Sequence, residues 1–353
     1  MNNEASSNRQ GGGVPQSLPS LRVRITAPLV PRDAAFQLPG NSHRWGRCEF
    51  VWNPPDDDPC DYWIVLGYAY RAESATVAPC NTLFINGEPP AKKRYPRAFY
   101  RQFYRVVDNH AWSQHPRLVL DTACMGWHAG NKLSAAQGEA SYDYFSRLPR
   151  PRKQNKIGVV CSASTVTAGQ RQRLKFLEQL KRHFGDRVVH FGRGFLPIED
   201  KLEAILPYRF QLVLENSVSP HYWTEKLADA YVGWGFPLYV GCPNLGDYFE
   251  SRSYQMLDIT DLARSIRVIE ACLEQPEAAE EISAVAEARR RVLNEYNLGV
   301  RCARMVEANF VNAPKEKILL RDYKHFHWWD RFRRQLGLSK SGMPKPASGE
   351  THS

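Results

Sequence analysis

Short apolar runs, separated by proline-rich and polar loops, set the pattern of the first 145 residues. Strands are predicted where apolar and β-branched residues run together between such loops. The predicted strands are 21–25, 62–66, 82–85, 104–107 and 118–120. We therefore expect a first α/β domain over 21–145.

The second half of the chain alternates between strand-like runs and helical spacing. The predicted strands are 157–161, 188–191, 210–214 and 237–240. Residues 169–184 repeat leucine at helical spacing, a short helix is predicted near 199–206, and another opens at Thr224. The sequence pattern of residues 260–310 predicts helix. Strands that alternate with helices indicate a parallel sheet covered on both faces.

Composition divides the chain further. Residues 146–155 contain two prolines and four basic residues, which is typical of a linker. The expected segments are a flexible tail over 1–20, the first domain over 21–145, the linker over 146–155, a second domain over 156–314, a basic aromatic helix over 315–340 and a flexible tail over 341–353.

The composition is that of a globular protein, with 43% hydrophobic and 24% charged residues. A formal net charge of +10 indicates an anionic partner without selecting one. Zinc-finger, RNP-like and P-loop patterns are absent from the sequence, so nucleic-acid binding is not expected. The eight cysteines are scattered and form no metal-ligand spacing, so free thiols in a reducing cytosol are expected.

The most informative segment is 210–241, which predicts a strand, a helix and a second strand. Such βαβ units bind ligands at the carboxyl ends of their strands. Lys226 falls in the first turn of the helix, where a cation opposes the helix dipole. That arrangement becomes favourable if an anion such as a phosphate binds at the same helix end.

This segment resembles the α1,3/4-fucosyltransferases of glycosyltransferase family 10. The family signature appears as Leu214-Glu215-Asn216-Ser217, Tyr222-Trp223-Thr224-Glu225-Lys226 and Pro237-Leu238-Tyr239-Val240-Gly241. The resemblance implies an α/β fold of GT-B architecture, with two Rossmann-like domains that face a cleft. The first domain would hold a glycan acceptor, and the second a nucleotide sugar such as GDP-fucose.

The resemblance also implies donor-binding residues. Tyr222 and Glu225 would contact the donor, with Glu225 suited to accept hydrogen bonds from ribose hydroxyls. Glu215 and Asn216, at the end of a strand, either brace the loop or meet the sugar. An arginine precedes an aromatic residue by three positions and a leucine by seven in the family. Arg173 fits this spacing, and Arg171 is the neighbouring alternative.

A general base is expected from the first domain, where the family has an Asn-x-Glu-Ser-Pro-like motif after a strand. Glu88 occupies the matching position in Asn86-Gly87-Glu88-Pro89-Pro90, although Pro89 replaces the usual serine. His110, His115 and His128 are alternative bases. No metal and no cofactor are expected, because cationic side chains can offset the charge of the diphosphate. Asp56-Asp57-Asp58 contains a D-x-D pattern, but its proline-flanked loop favours a solvated acidic turn.

The segment 315–338 mixes tryptophan and phenylalanine with basic residues. It is expected either to contact an anionic membrane as an interfacial helix or to pack back on the first domain. The protein is expected in the cytoplasm, and with the first option it would lie on the inner face of the membrane.

The sequence thus predicts an inverting fucosyltransferase that builds a surface polysaccharide or lipopolysaccharide. The alternative is a basic, non-enzymatic protein that binds nucleic acid or anionic lipid. A retaining GT-B transferase is disfavoured, because its two motif glutamates lie seven residues apart and Glu215 and Glu225 do not.

Overall fold

The computed structural model of the protein describes residues 18–27, 34–67, 71–123, 126–130, 141–165 and 168–326. The strands are β1 (Leu21–Thr26), β2 (Arg44–Trp45), β3 (Cys48–Trp52), β4 (Tyr62–Leu66), β5 (Glu73–Val77), β6 (Thr82–Ile85), β7 (Arg105–Asp108), β8 (Leu118–Leu120), β9 (Gln154–Val160), β10 (Val188–Phe191), β11 (Tyr208–Leu214), β12 (Phe236–Val240), β13 (Gln255–Met256) and β14 (Glu316–Leu320). The helices are α1 (Arg97–Tyr100), α2 (Tyr142–Arg147), α3 (Ala168–Phe184), α4 (Leu202–Ile205), α5 (Glu225–Val232), α6 (Leu262–Glu274), α7 (Ala279–Arg291) and α8 (Leu298–Asn309), with a π-helical turn at Val292–Tyr296.

Seven strands form the first sheet, in the order β2-β3-β1-β4-β6-β7-β8. All neighbouring strands are parallel except β2, which runs antiparallel to β3. Residues 62–65 of the central strand β4 are buried on both faces, which is typical of a parallel sheet. One face packs against α8, and the other against an aromatic cluster around Phe84.

Five parallel strands form the second sheet, in the order β10-β9-β11-β12-β13. The carboxyl ends of β9, β11 and β12 therefore lie along one edge, where parallel α/β sheets bind ligands. Each parallel sheet has its own apolar core. The predicted α/β class and the two-domain GT-B architecture are confirmed.

The two domains exchange chain segments, which the predicted boundaries did not anticipate. Helix α8, expected in the second domain, packs on the first through Leu298, Val300, Cys302, Ala303 and Val306. In the other direction, three residues before the expected linker pack in the second core. They are Trp127, Ala129 and Phe145. The prediction of 156–314 as one donor domain is therefore wrong at its end.

The helix predicted over 315–340 is wrong over Glu316–Leu320, which form strand β14. This strand pairs antiparallel with β5 in the first domain. Ile318 and Leu320 face the aromatic cluster of that domain while their neighbours are exposed, and this two-residue period is that of a strand. The alternative in which the segment packs back on the first domain is right for this stretch. Residues 327–340 lie outside the described part.

The described part of the chain contains neither a membrane-spanning helix nor a disulfide. None of the described helices is long and apolar enough to cross a bilayer. The seven cysteines of the described part form no disulfide, and the eighth, Cys124, lies outside it.

Candidate active site

The donor motif joins the end of β11 to the start of α5 through one carboxylate. Glu215, directly after β11, is buried, and its Oε1 accepts a hydrogen bond from the Thr224 backbone N–H at 2.8 Å. Its Oε2 accepts from the Thr224 hydroxyl at 2.8 Å. Thr224 is also the N-cap of α5, where its Oγ1 accepts from the Lys226 N–H. The polar groups at this helix end are thus already paired within the protein.

Lys226 lies between two carboxylates. Its Nζ is 3.3 Å from Glu215 Oε2, 3.1 Å from Glu225 Oε1 and 3.0 Å from Thr224 Oγ1. Burial lowers the pKa of Lys226, but the two carboxylates outweigh burial and the net shift is upward. Glu215 and Glu225 therefore compensate the charge of this lysine within the protein, so an anionic ligand is not required for that purpose.

The two glutamates differ in their electrostatics. Burial raises the pKa of Glu215, although Lys226 and the Thr224 hydrogen bonds oppose the shift. For Glu225 burial also acts upward, but the Lys226 and Lys201 charges prevail and lower its pKa to about 2. Glu225 is therefore the firmly ionised partner of the lysine, whereas Glu215 is the easier of the two to protonate.

Glycines allow the backbone to close tightly around this carboxylate. A Cβ on Gly241, at the end of β12, would lie 2.6 Å from Glu215 Cγ. A Cβ on Gly169, in the first turn of α3, would lie 2.8 Å from the carbonyl oxygen of Asn216. Both distances are too short for any side chain, so the motif needs glycine at both positions.

Of the two candidate arginines, Arg173 is the one that contacts the donor motif. Its side chain is buried, and Nη1 donates to the carbonyl oxygen of Leu214 at 3.1 Å. Its Nε is buried without a hydrogen-bond partner in the described part of the chain. Arg171, the alternative, is exposed and donates to the carbonyl of Thr165 instead. Burial raises the pKa of Cys161, next to β9, and the Arg173 and Lys226 charges both oppose that shift.

The remaining two donor-motif residues differ in exposure. Asn216 is exposed at the tip of the strand, whereas Tyr222 is buried. Burial raises the pKa of the Tyr222 hydroxyl, and the Glu215 and Glu225 charges raise it further. The Glu88 carboxylate of the first domain contributes to the same shift. Glu88 is therefore near enough to Tyr222 to act on it electrostatically.

Glu88 lies in the loop after β6, as expected. Its side chain is 17% exposed, and Oε1 is 2.7 Å from Lys92 Nζ. The Asn86 and Asn109 side chains hold its backbone. Asn86 belongs to the motif that identified Glu88, but sequence reasoning assigned it no role.

A second ion pair beside the site was missed by sequence reasoning. Asp229 is one turn beyond Glu225 in α5, and its Oδ2 is 2.6 Å from Lys201 Nζ. Its Oδ1 accepts the backbone N–H groups of His128 and Ala129 at 2.6 and 2.7 Å. The segment that enters the second domain is thereby fixed to the donor helix. His128 is exposed, and it is one of the groups that lower the pKa of Glu225.

The other candidates have structural roles. Asp56, Asp57 and Asp58 form separate ion pairs, as expected of an acidic surface turn, with Arg71, Lys317 and Arg22. His115 bonds the Phe103 carbonyl and the Arg117 N–H, so both of its ring nitrogens are used in packing. His110 caps a short turn through the Trp112 N–H and lies beside Asp108.

Residues 151–270 match the family model described as Glycosyltransferase family 10 (fucosyltransferase) C-term. A curated relative, a 4-galactosyl-N-acetylglucosaminide 3-alpha-L-fucosyltransferase of Pongo pygmaeus, is 34% identical over 79 residues. That alignment covers 22% of this chain and 21% of the relative, so the chain spans about a fifth of the curated relative it matches.

The chain is also similar to solved structures of alpha1,3-fucosyltransferase. One, with GDP, shows 15% identity and a TM-score of 0.45, covering 84% of this chain and 95% of that chain. Another, with GDP-fucose, shows 15% identity and a TM-score of 0.44, covering 93% of each chain. The sequence identities and TM-scores of these structures are low. The family resemblance therefore depends on the family-model match and on the motif within the matched residues. The resemblance seen in the sequence is therefore confirmed over residues 151–270, which match the C-terminal region of the glycosyltransferase family 10 fucosyltransferases.

Proposed function

We propose that this protein is an inverting glycosyltransferase that moves fucose from GDP-fucose, or a similar GDP-sugar, to a glycan hydroxyl. The observation that carries the proposal is the motif in which Glu215, Thr224 and Lys226 are joined at the start of α5, beside the carboxyl ends of parallel strands. A single-displacement transfer also needs a carboxylate that takes the acceptor proton, and we assign that role to Glu88 in the loop after β6. The family match over 151–270 and the name of the curated relative support the same reaction class.

Donor binding requires Lys226 to change partners. The Lys226 ammonium group is shared by the carboxylates of Glu215 and Glu225, so the local charge does not favour a diphosphate while both pairs are formed. We propose that the diphosphate displaces Glu225 from Lys226, and that Glu225 then accepts hydrogen bonds from the ribose hydroxyls. Arg173 would supply the second cation through its unpartnered Nε, with charge-assisted hydrogen bonds to phosphate oxygens.

The sugar would lie between the motif and Glu88, within reach of Tyr222 and Asn216. Glu88 takes the proton of the acceptor hydroxyl as the acceptor oxygen attacks the anomeric carbon. The bond from that carbon to the diphosphate breaks, and its electron pair leaves with GDP. Attack on the face opposite to GDP inverts the anomeric configuration. Lys226 and Arg173 offset the charge that develops on the leaving group, so no metal is proposed.

The segment that follows Glu88 is basic. Five cations follow Glu88 within thirteen residues, and they are Lys92, Lys93, Arg94, Arg97 and Arg101. Arg94 and Arg97 lie over the Trp112 ring, each 5.1 Å from its centroid. This basic segment supports an acceptor that carries anionic groups, such as a surface polysaccharide or lipopolysaccharide. Contact with an anionic membrane through 327–338 would bring the enzyme to such an acceptor.

A thermal-shift titration tests the donor proposal. Stabilisation by GDP at lower concentration than by UDP or CDP is expected, because ligands that bind only the folded state raise its melting temperature. Stabilisation by an oligonucleotide and not by GDP would instead favour the non-enzymatic binding protein. GDP-fucose and a 4-galactosyl-N-acetylglucosaminide acceptor then test transfer directly. Activity that disappears in EDTA and returns with a divalent cation would overturn the metal-independent part of the proposal.

A further inference from the structure

Two asparagine side chains fix the backbone at Glu88. Asn86 is fully buried, its Oδ1 accepts the Glu88 N–H at 3.1 Å, and its Nδ2 donates to the Glu88 carbonyl at 3.1 Å. Asn109 Nδ2 donates to the same carbonyl at 3.0 Å. The peptide groups on both sides of the Glu88 Cα are therefore held, although the residue lies in a loop.

The Asn86 amide is itself oriented from the neighbouring strand. Its Nδ2 donates to Asp108 Oδ1 at 3.0 Å, and Asp108 ends β7, the parallel neighbour of β6. A carboxylate oxygen accepts hydrogen bonds, so it sets which end of the Asn86 amide points inward. Asp108 Oδ2 accepts from the Tyr100 hydroxyl at 3.2 Å, and Oδ1 accepts from the His110 N–H at 3.3 Å.

Burial of the Asp108 carboxyl group at this position is energetically unfavourable. Its side chain is fully buried, and burial raises its pKa to about 7. The His110 ring is 3.3 Å from it, but burial lowers the pKa of that histidine to about 4, so the ring is neutral near pH 7. Among the described residues, no lysine or arginine forms an ion pair with Asp108. A buried acid without a cationic partner costs stability, and such groups concentrate at functional sites.

We propose that Asp108 is a positioning residue that acts through Asn86 to hold Glu88 in place for proton removal. This inference rests on the proposed function, because it assigns to Glu88 the role of the base. Asp108 is buried beneath the loop and does not reach the cleft. Its contribution is geometric, since misplacement of a catalytic group by about 1 Å can cost on the order of 10²-fold in rate.

The test compares Asn86→Ala with a matched control. Asn81 is also a buried asparagine of the first domain, and its side chain bonds the backbone of Asp61 and Val311, away from Glu88. We expect Asn86→Ala and Asp108→Ala to lower kcat about 10- to 100-fold while the KM for GDP-fucose and the GDP thermal shift stay unchanged. Asn81→Ala should lose comparable stability and keep its kcat. Asp108→Asn, which retains an acceptor oxygen, should recover most of the rate.

A double variant that combines Asn86→Ala with Glu88→Gln distinguishes a positioning role of Asn86 from a general loss of stability. If Asn86 acts through Glu88, adding Asn86→Ala to Glu88→Gln should lower kcat no further, because the base is already gone. Losses that multiply in the double variant, or an equal kcat loss in Asn81→Ala, would overturn the inference. A wild-type protein that transfers no sugar from any GDP-sugar would refute the proposed function instead. A wild type that transfers, with Glu88→Gln inactive and Asn86→Ala fully active, would refute only this inference.

Discussion

Lys226 Nζ lies 3.3 Å from Oε2 of Glu215, and that carboxylate receives two hydrogen bonds from Thr224. One buried side chain therefore joins the last residues of a strand to the first turn of the following helix. The signature residues hold one another in place before any donor binds. Substitutions in this motif should consequently change stability as well as donor binding.

Lys226→Ala is expected to remove the GDP thermal shift and to destabilise the fold. It leaves buried Glu215 without its cation, which we expect to cost about 2 kcal/mol of unfolding free energy. This is less than the roughly 3–5 kcal/mol of a fully buried pair, because the lysine is partly exposed. Urea unfolding of Lys226→Ala and of Glu215→Gln/Lys226→Ala provides the measurement. The double variant should regain stability without regaining GDP binding, and a double variant as unstable as the single one would contradict this account.

Glu88→Gln is expected to lower kcat by about 10²- to 10⁴-fold, because it removes the group that accepts the acceptor proton. The affinity for GDP should stay within twofold of wild type, since Glu88 belongs to the opposite domain from the diphosphate cations. Steady-state kinetics with a GDP-binding titration measures both. Glu49→Gln, an exposed substitution in the same domain, is the control. A Glu88→Gln enzyme that binds GDP poorly and still transfers would reverse the assignment.

Arg173→Met is expected to weaken GDP binding about 10- to 100-fold, which corresponds to the roughly 1.5–3 kcal/mol of a charge-assisted hydrogen bond. Arg171→Met, two residues earlier in the same helix, changes the same charge on the exposed face and should bind GDP as wild type does. Isothermal titration of both variants distinguishes them. Equal losses in the two would mean that the helix acts only through its general positive charge.

Asp108→Asn is expected to change how stability depends on pH. Burial raises the pKa of Asp108 from 3.8 to about 7, so the folded protein binds this proton more tightly than the unfolded chain does. Wild-type stability therefore falls as pH rises from about 4 to about 7, by at most about 4 kcal/mol from this group. Asp108→Asn has no carboxyl group at this position and so does not lose this stability as pH rises. His110 is present in both proteins, so its titration cancels in the comparison. The free energy of unfolding of the variant relative to wild type should therefore rise between about pH 4 and about pH 7 in urea unfolding. A difference that does not depend on pH would contradict the raised pKa of Asp108.

The elements that the sequence predicted well are those with a local signal. The apolar runs predicted at β4, β6 and β8 coincide with the observed strands. The helix predicted over 169–184 from its leucine spacing is also observed, as α3, which begins one residue earlier. Strand β5 was missed because it mixes polar residues with apolar ones, and β3 was missed although four of its five residues are apolar. Strand β14 was taken for a helix because its identity depends on pairing with β5, more than 230 positions earlier, which no local pattern shows.

The same distinction holds at the candidate site. Apart from Arg173, the candidate donor residues lie between Glu215 and Lys226 and follow a recognisable spacing, so they could be named in advance. Spacing left Arg173 and Arg171 undecided, whereas burial and the contact with the Leu214 carbonyl separate them. Asp108 and Asp229 could not be found from sequence, because each acts on a segment at least twenty residues away.

The exchange of α8 and of the segment around Trp127 means that the polypeptide passes between the lobes more than once. Neither lobe can be obtained by cutting the gene at a single junction. A fragment that ends before Leu298 deprives the first lobe of the helix that covers its sheet, and a fragment that starts at Gln154 deprives the second lobe of Trp127 and Phe145. Domain dissection of this protein would therefore require a circularly permuted or co-expressed design, not a simple truncation.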